Sequence, residues 1–138
     1  DIDDEEGSSS SSISRNKIVS NAQKHLGTPY VWAGSSPSGF DCSGFTSYVM
    51  KDFGKELSRR SEDQYNEGKK VKDKNVQKGD LIFFSNGSGI SHVGIVVSEK
   101  GQPIVMIHAS SSKGVIITDI ASSEYWTKRL HGFATYVN

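Results

Sequence analysis

Apolar positions along the chain follow two regimes. Up to about residue 68 they recur at helical spacing, and from residue 79 they come in short runs divided by turn residues. Ile18, Val19, Ala22 and Leu26 form a stripe that predicts a helix over residues 14–26. Gly27 is placed to end it, and Thr28-Pro29 forces an extended exit. Phe45, Tyr48, Val49 and Phe53 predict a second helix entered at Asp41, a good N-cap. Ser61-Glu62-Asp63-Gln64 matches a capping box, with Ser61 as N-cap and Gln64 reaching back, ahead of a third short helix closed by Gly68. Residues 69–78 read as polar loop. Residues 81–84, 93–97, 104–107, 115–117 and 133–137 are rich in β-branched and aromatic side chains. They predict about five strands, mostly antiparallel, with a helical piece around residues 123–128. Helices first and strands second predict an α+β domain whose helices pack on one sheet.

Composition changes this picture at the N-terminus. Residues 1–13 are acidic and then serine-rich, which predicts a flexible linker or tail and an upstream domain beyond it. The formal charge of the whole chain is zero, but from Arg15 onward 16 Lys and Arg face 11 Asp and Glu, a net +5. That bias is too mild for a nucleic-acid footprint and is compatible with an anionic polymer such as a cell wall. No run of eighteen apolar residues is present, so no membrane span is expected. No glycine-rich loop follows a strand, which leaves nucleotide binding without support.

Candidate chemistry centres on Cys42, the only cysteine of the 138 residues. A lone cysteine is often inert packing. This one follows a glycine- and serine-rich loop and opens a helix, where free N–H groups and the positive end of the dipole favour a thiolate. A reactive thiol needs a histidine nearby. His92 opens one predicted strand and His108 ends the next, with a turn near Lys100 between them. Pairing symmetric about residue 100 sets the two histidines directly opposite, with Cβ atoms about 4.5–5.5 Å apart. One could take the cysteine proton and the other hold its ring in the right tautomer. Alternatively Cys42, His92 and His108 could bind zinc, although the short ligand spacings of many zinc sites are missing. His25, near a helix C-terminus, reads as a surface or capping residue, and His131 as structural. Tyr30 and Trp32 read as packing residues, with the Tyr30 hydroxyl also able to donate to an oxyanion.

Six segments taken together resemble the NlpC-type family of papain-like cysteine peptidases, which cleave bacterial cell-wall peptides. In order they are Thr28-Pro29-Tyr30-Val31-Trp32-Ala33-Gly34, Asp41-Cys42-Ser43-Gly44-Phe45, Arg59-Arg60-Ser61-Glu62-Asp63-Gln64, Gly79-Asp80-Leu81, His92-Val93-Gly94-Ile95 and Ile107-His108-Ala109. The resemblance covers residues 14–138 and implies a papain-like fold. It places the nucleophile at Cys42, the base at His92 and the orienting residue at His108. It sets Tyr30 at the mouth of the site, near the oxyanion, and Asp41 and Ser43 at a pocket for the free amine of the substrate. It implies a secreted or wall-associated endopeptidase that cuts the bond between D-glutamate, through its γ-carboxyl, and the diamino acid of peptidoglycan stem peptides, without a cofactor. An amidase or acyltransferase on the same framework, and a non-catalytic wall-binding or zinc-binding domain, are the alternatives. Three positions depart from the family pattern. Ala33 stands for a frequent glycine, which predicts a different loop path. Ser58 stands for a frequent proline, and Arg60 for a frequent small hydroxyl residue.

Overall fold

The computed structural model describes residues 14–137, so the linker expected over residues 1–13 lies outside the described residues. Helix α1 (Arg15–Gln23) is capped by Ser14, whose side chain accepts from the Lys17 N–H. Ile18 and Ala22 are fully buried, but Leu26 lies beyond the last helical turn and is 48% exposed. The apolar stripe therefore ends one turn earlier than the sequence pattern implied. A two-residue hairpin, β1 (Ser35–Ser36) with β2 (Gly39–Phe40), follows within the predicted loop. Helix α2 (Cys42–Lys51) comes next, capped as expected by Asp41, which accepts from the Gly44 N–H. It buries Phe45, Val49 and Met50.

Helix α3 (Ser61–Glu67) corrects the capping-box reading. Its N-cap is Arg60, which makes no side-chain cap bond, and Ser61 is already inside the helix. Gln64 does not reach back but is fully buried. Its Oε1 accepts from Thr46 Oγ1 at 2.7 Å, and its Nε2 donates to Ser43 O at 3.1 Å and Ser58 O at 2.8 Å. These bonds tie α3 to the first turn of α2.

The strands form one six-stranded sheet, and the pairings along it are antiparallel. They are β3 (Lys69–Val71), β4 (Leu81–Ser85), β5 (Ile90–Val96), β6 (Val105–Ser110), β7 (Gly114–Asp119) and β8 (Leu130–Thr135), ordered β3-β8-β4-β5-β6-β7. Five occupy the predicted runs. The sixth, β3, lies in the predicted polar loop: it is a lysine-bearing edge strand against β8, and such edges lack an apolar pattern. The short helix α4 (Glu124–Arg129), capped by Ser123, lies between β7 and β8. Alternation divides the core into two. Phe83, Val93, Ile95, Ile107 and Ala109 pack with α1 and α2, while Ile82, Phe84, Val96, Met106 and Phe133 pack in a second cluster with Trp126 of α4.

The α3 cap generates two stability predictions. Arg60→Ser supplies the missing acceptor at the helix N-terminus, and is expected to raise stability by about 0.5–1.5 kcal/mol in urea unfolding. Gln64→Ala removes three bonds of a buried side chain and leaves Ser58 O without its Gln64 donor, while Thr46 Oγ1 keeps its bond to Ser43 O, and is expected to cost about 1–3 kcal/mol. Equal stability for both variants and the parent would show that the α3 terminus is held by something else.

Candidate active site

The segment before Cys42 is folded tightly by its own backbone. Gly34 N–H donates to Val31 O at 2.8 Å, Val31 N–H to Phe40 O at 3.1 Å, and Asp41 N–H to Gly34 O at 2.9 Å. Ala33 is held at φ 63°, the left-handed conformation that glycine takes without cost. A side chain on Gly44 would run into Gly34 O, so the loop can lie directly on the first turn of α2. Phe40 is fully buried, and His25 packs edge-on against it at 5.3 Å and against Tyr48 at 5.4 Å. His25 is thus a half-buried packing residue rather than the predicted surface cap, and burial lowers its pKa. Trp32 also departs from expectation: it is 85% exposed rather than packed.

Cys42 is half-buried at the start of α2. Its sulfur meets the N–H groups of Val93, Ser43 and its own backbone, and these favour the thiolate. Burial outweighs them, and the Asp41 carboxylate adds to it, so the thiol pKa lies above its ordinary value. The low-pKa thiolate expected from the helix position is therefore corrected. Tyr30 lies close enough to Cys42 and Asp41 for both to raise its pKa, after burial as the largest cause, so its hydroxyl keeps its proton.

His92 and His108 meet as the strand pattern predicted, but through a different register. Ile95 pairs with Ile107 and Val96 with Met106, so Gly94 rather than His92 stands opposite His108. The two histidines are diagonal neighbours on one face. His92 Nε2 lies 2.8 Å from His108 Nδ1, and His108 Nε2 lies 2.9 Å from Thr118 Oγ1 on β7. The chain of contacts admits two proton sequences. Only one leaves His92 Nδ1 free to accept a proton: His92 Nε2–H donates to His108, and His108 Nε2–H donates to the Thr118 hydroxyl. Trp126 stacks on the His92 ring at 5.0 Å and meets His108 edge-on at 5.3 Å. Burial lowers the His92 pKa to about 4, and burial followed by His92 lowers that of His108 to about 3. Both ring nitrogens of His108 are committed, and no group of three or more His, Cys, Asp or Glu among the described residues is arranged to hold a metal. The zinc arrangement therefore lacks a ligand set. His131 lies edge-on to Tyr65 at 4.9 Å.

Asp41 and Ser43 flank the thiol and are joined by Arg59, which the sequence left unassigned. Arg59 Nη2 donates to Asp41 Oδ2 at 2.9 Å, and its Nη1 donates to Asp41 Oδ1 at 3.1 Å and Ser43 Oγ at 2.9 Å. Arg59, Thr118 and Trp126 are the site residues that sequence reasoning missed. A paired Arg59-Arg60 ahead of a helix was the only signal for any of them.

The NlpC/P60 family model matches residues 27–135. The chain is 47% identical to a probable endopeptidase p60 of Listeria grayi over 126 residues, which is 91% of this chain and 24% of that protein. It is 40% identical to a γ-DL-glutamyl hydrolase of Bacillus subtilis over 115 residues, covering 80% of this chain and 27% of that protein. The chain thus spans about a quarter of the length of these curated relatives. The crystal structure of a Bacillus cereus NlpC/P60 family protein superposes with a TM-score of 0.83 at 33% identity, covering 92% of this chain and 41% of that one.

The neutral site sets its pH behaviour. Both histidines fold uncharged, while the unfolded chain takes up protons on them below about pH 6.5. Stability is therefore expected to fall as pH drops from about 6.5 towards about 4, the folded-state value of His92. The check is melting temperature against pH, with the slope reduced in His108→Gln. Iodoacetamide should alkylate Cys42 slowly at pH 6 and faster through the alkaline range, with a midpoint above that of free cysteine. Fast alkylation at pH 6 would reveal a preformed thiolate.

Proposed function

The chain belongs to the NlpC/P60 family, and from that membership we propose that it is a cysteine endopeptidase of bacterial cell-wall stem peptides. The observation that carries this reading is the His92–His108–Thr118 series, in a chain whose Cys42 opens helix α2. In the proposed mechanism Cys42 Sγ attacks the scissile carbonyl as its proton passes to His92 Nδ1. The imidazolium keeps Nε2–H directed at His108, so the orienting bond survives the transfer. Trp126 lies over the charged ring, where its π-face favours a cation. The Cys42 N–H and the Tyr30 hydroxyl receive the oxyanion. His92 then protonates the leaving amine, and later takes a proton from the water that opens the thioester.

The proposed bond is the one between the γ-carboxyl of D-glutamate and the diamino acid. The naming of the B. subtilis relative as a γ-DL-glutamyl hydrolase supports a γ-glutamyl carbonyl as the point of attack. The free amine of the stem peptide is placed at Asp41 and Ser43, where it shares the Asp41 carboxylate with Arg59. A wall substrate puts the working protein outside the cell or in the wall, and the match to only about a quarter of the curated relatives supports a further domain joined to it. No helix of the described residues is long and apolar enough to cross a membrane.

Mass spectrometry of purified wall fragments after digestion reads the cut bond directly. A new N-terminus on the diamino acid is expected, and cuts elsewhere in the stem would displace the assignment. Cys42→Ala should stay folded and inactive. His92→Ala should lose about 10²–10⁴ in kcat. His108→Gln should keep more activity than His92→Ala, because glutamine still accepts one hydrogen bond. Thr118→Val should lose about tenfold in kcat at unchanged KM, and Thr118→Ser should recover it. A fully active His92→Ala protein would end this mechanism.

A further inference from the structure

A cavity of about 460 Å³ adjoins the base and is not used by the steps above. It lies between α4 and the turn joining β6 to β7. His92 and Trp126 line it, as do Ser111 and Lys113 of the turn and Tyr125 and Arg129 of α4. Tyr30, Asp41, Cys42 and Arg59 are not among its lining residues, so it is separate from the side on which Asp41 and Ser43 stand. Its size suits a small ligand. No Asp or Glu lines it, whereas two cations do. Arg129 is engaged with Tyr125, lying 3.7 Å over its ring and donating to its carbonyl at 2.9 Å. The Lys113 ammonium has no ion-pair partner among the described residues. Lys113 is bonded to the fold through its backbone N–H, which donates to Ser110 Oγ at 3.3 Å.

The leaving amine takes its proton from His92, so the departing half of the substrate must lie against that ring during transfer. On the Cys42 side the acyl half already occupies the Tyr30–Asp41 edge. We propose that this cavity receives the departing half, a short peptide that begins with a diamino acid and ends in a carboxylate, and that Lys113 supplies the countercharge. The proposal rests on the endopeptidase reading for the direction of the substrate. The cavity itself makes a claim about the C-terminal carboxylate of a dipeptide that binding alone can test. Lys113 is then a specificity determinant: it distinguishes a free carboxylate from a blocked one without touching the scissile bond.

The test is a titration of the wild-type chain and Lys113→Gln with L-lysyl-D-alanine and with its C-terminal amide, followed at the indole N–H resonance of Trp126. Stem peptides with free and amidated C-termini are assayed for cleavage in parallel. The acid is expected to bind about fivefold tighter than the amide, and Lys113→Gln should erase that difference while leaving amide binding unchanged. Equal binding of acid and amide by the wild-type chain, or an acid preference that survives Lys113→Gln, overturns the assignment. Cleavage of stem peptides without any acid preference in binding removes the cavity and leaves the endopeptidase standing. Acid-selective binding through Lys113 with no cleavage of any stem peptide does the reverse.

Discussion

The site depends on the parting of β5 and β6. Their ladder closes at Ile95–Ile107 and Val96–Met106 and goes no further, although both strands continue towards His92 and Ser110. Where they separate, the Val93 N–H is free of the sheet and meets the Cys42 sulfur instead. The same separation lets the His92 and His108 rings meet edge to face at 5.0 Å. Gly94 makes the register possible, because a Cβ there would lie 2.8 Å from Met106 Sδ and 3.1 Å from His108 Cβ. A slip of one residue would turn one imidazole to the other face and end the contact; the two-residue difference from the symmetric pairing keeps both on one side.

The thiol stands between two opposed influences. The helix N-terminus and three N–H groups favour its charge, while burial and the neighbouring Asp41 oppose it. Burial also holds both histidines neutral. The resting pair is therefore thiol and imidazole rather than thiolate and imidazolium. In the proposed mechanism charge separation then belongs to the step of attack, when a substrate carbonyl would begin to carry the negative charge and the Trp126 face would lie over the positive one. Fixed N–H dipoles and a π-face already in place need no reorganisation at that moment, which is where such groups contribute most.

Much of this was legible in the chain. Helical spacing gave α1 and α2, β-branched runs gave five strands, and the two strand-end histidines were expected to meet, as they do. What was missed shares a cause: its partners are distant in sequence. Ser61 and Gln64 satisfy the local capping-box pattern, yet Gln64 is drawn 18 residues back to Thr46, because a buried polar network satisfies it better than one exposed N–H. The polar strand β3 is visible only once β8 lies beside it. Thr118 reads as one residue of an alternating strand until His108 is placed diagonally from it on β6. Trp32 sits in an apolar-looking segment, but the hairpin that follows turns that segment back on its own backbone and leaves the indole outside.

Asp41 joins the two halves of the site. One oxygen accepts from both the Gly44 N–H and Arg59, and the other holds Arg59 alone. The same residue therefore caps α2, anchors the Arg59 cation and, through its N–H to Gly34 O, fixes the loop that carries Tyr30. Gly44 lets that loop lie flush on the helix, and Ala33 accepts a left-handed backbone to complete the turn. These constraints make the Asp41 side of the site a rigid frame built from α2 and its preceding loop. The proposed base, His92, and its partners His108 and Thr118 come instead from β5, β6 and β7. The two frames touch where the Cys42 sulfur meets the Val93 N–H, so the position of Cys42 relative to His92 is set by how α2 packs on the sheet. Core residues such as Phe45 and Val49, buried between α2 and the sheet, would thereby set the geometry of the proposed reaction.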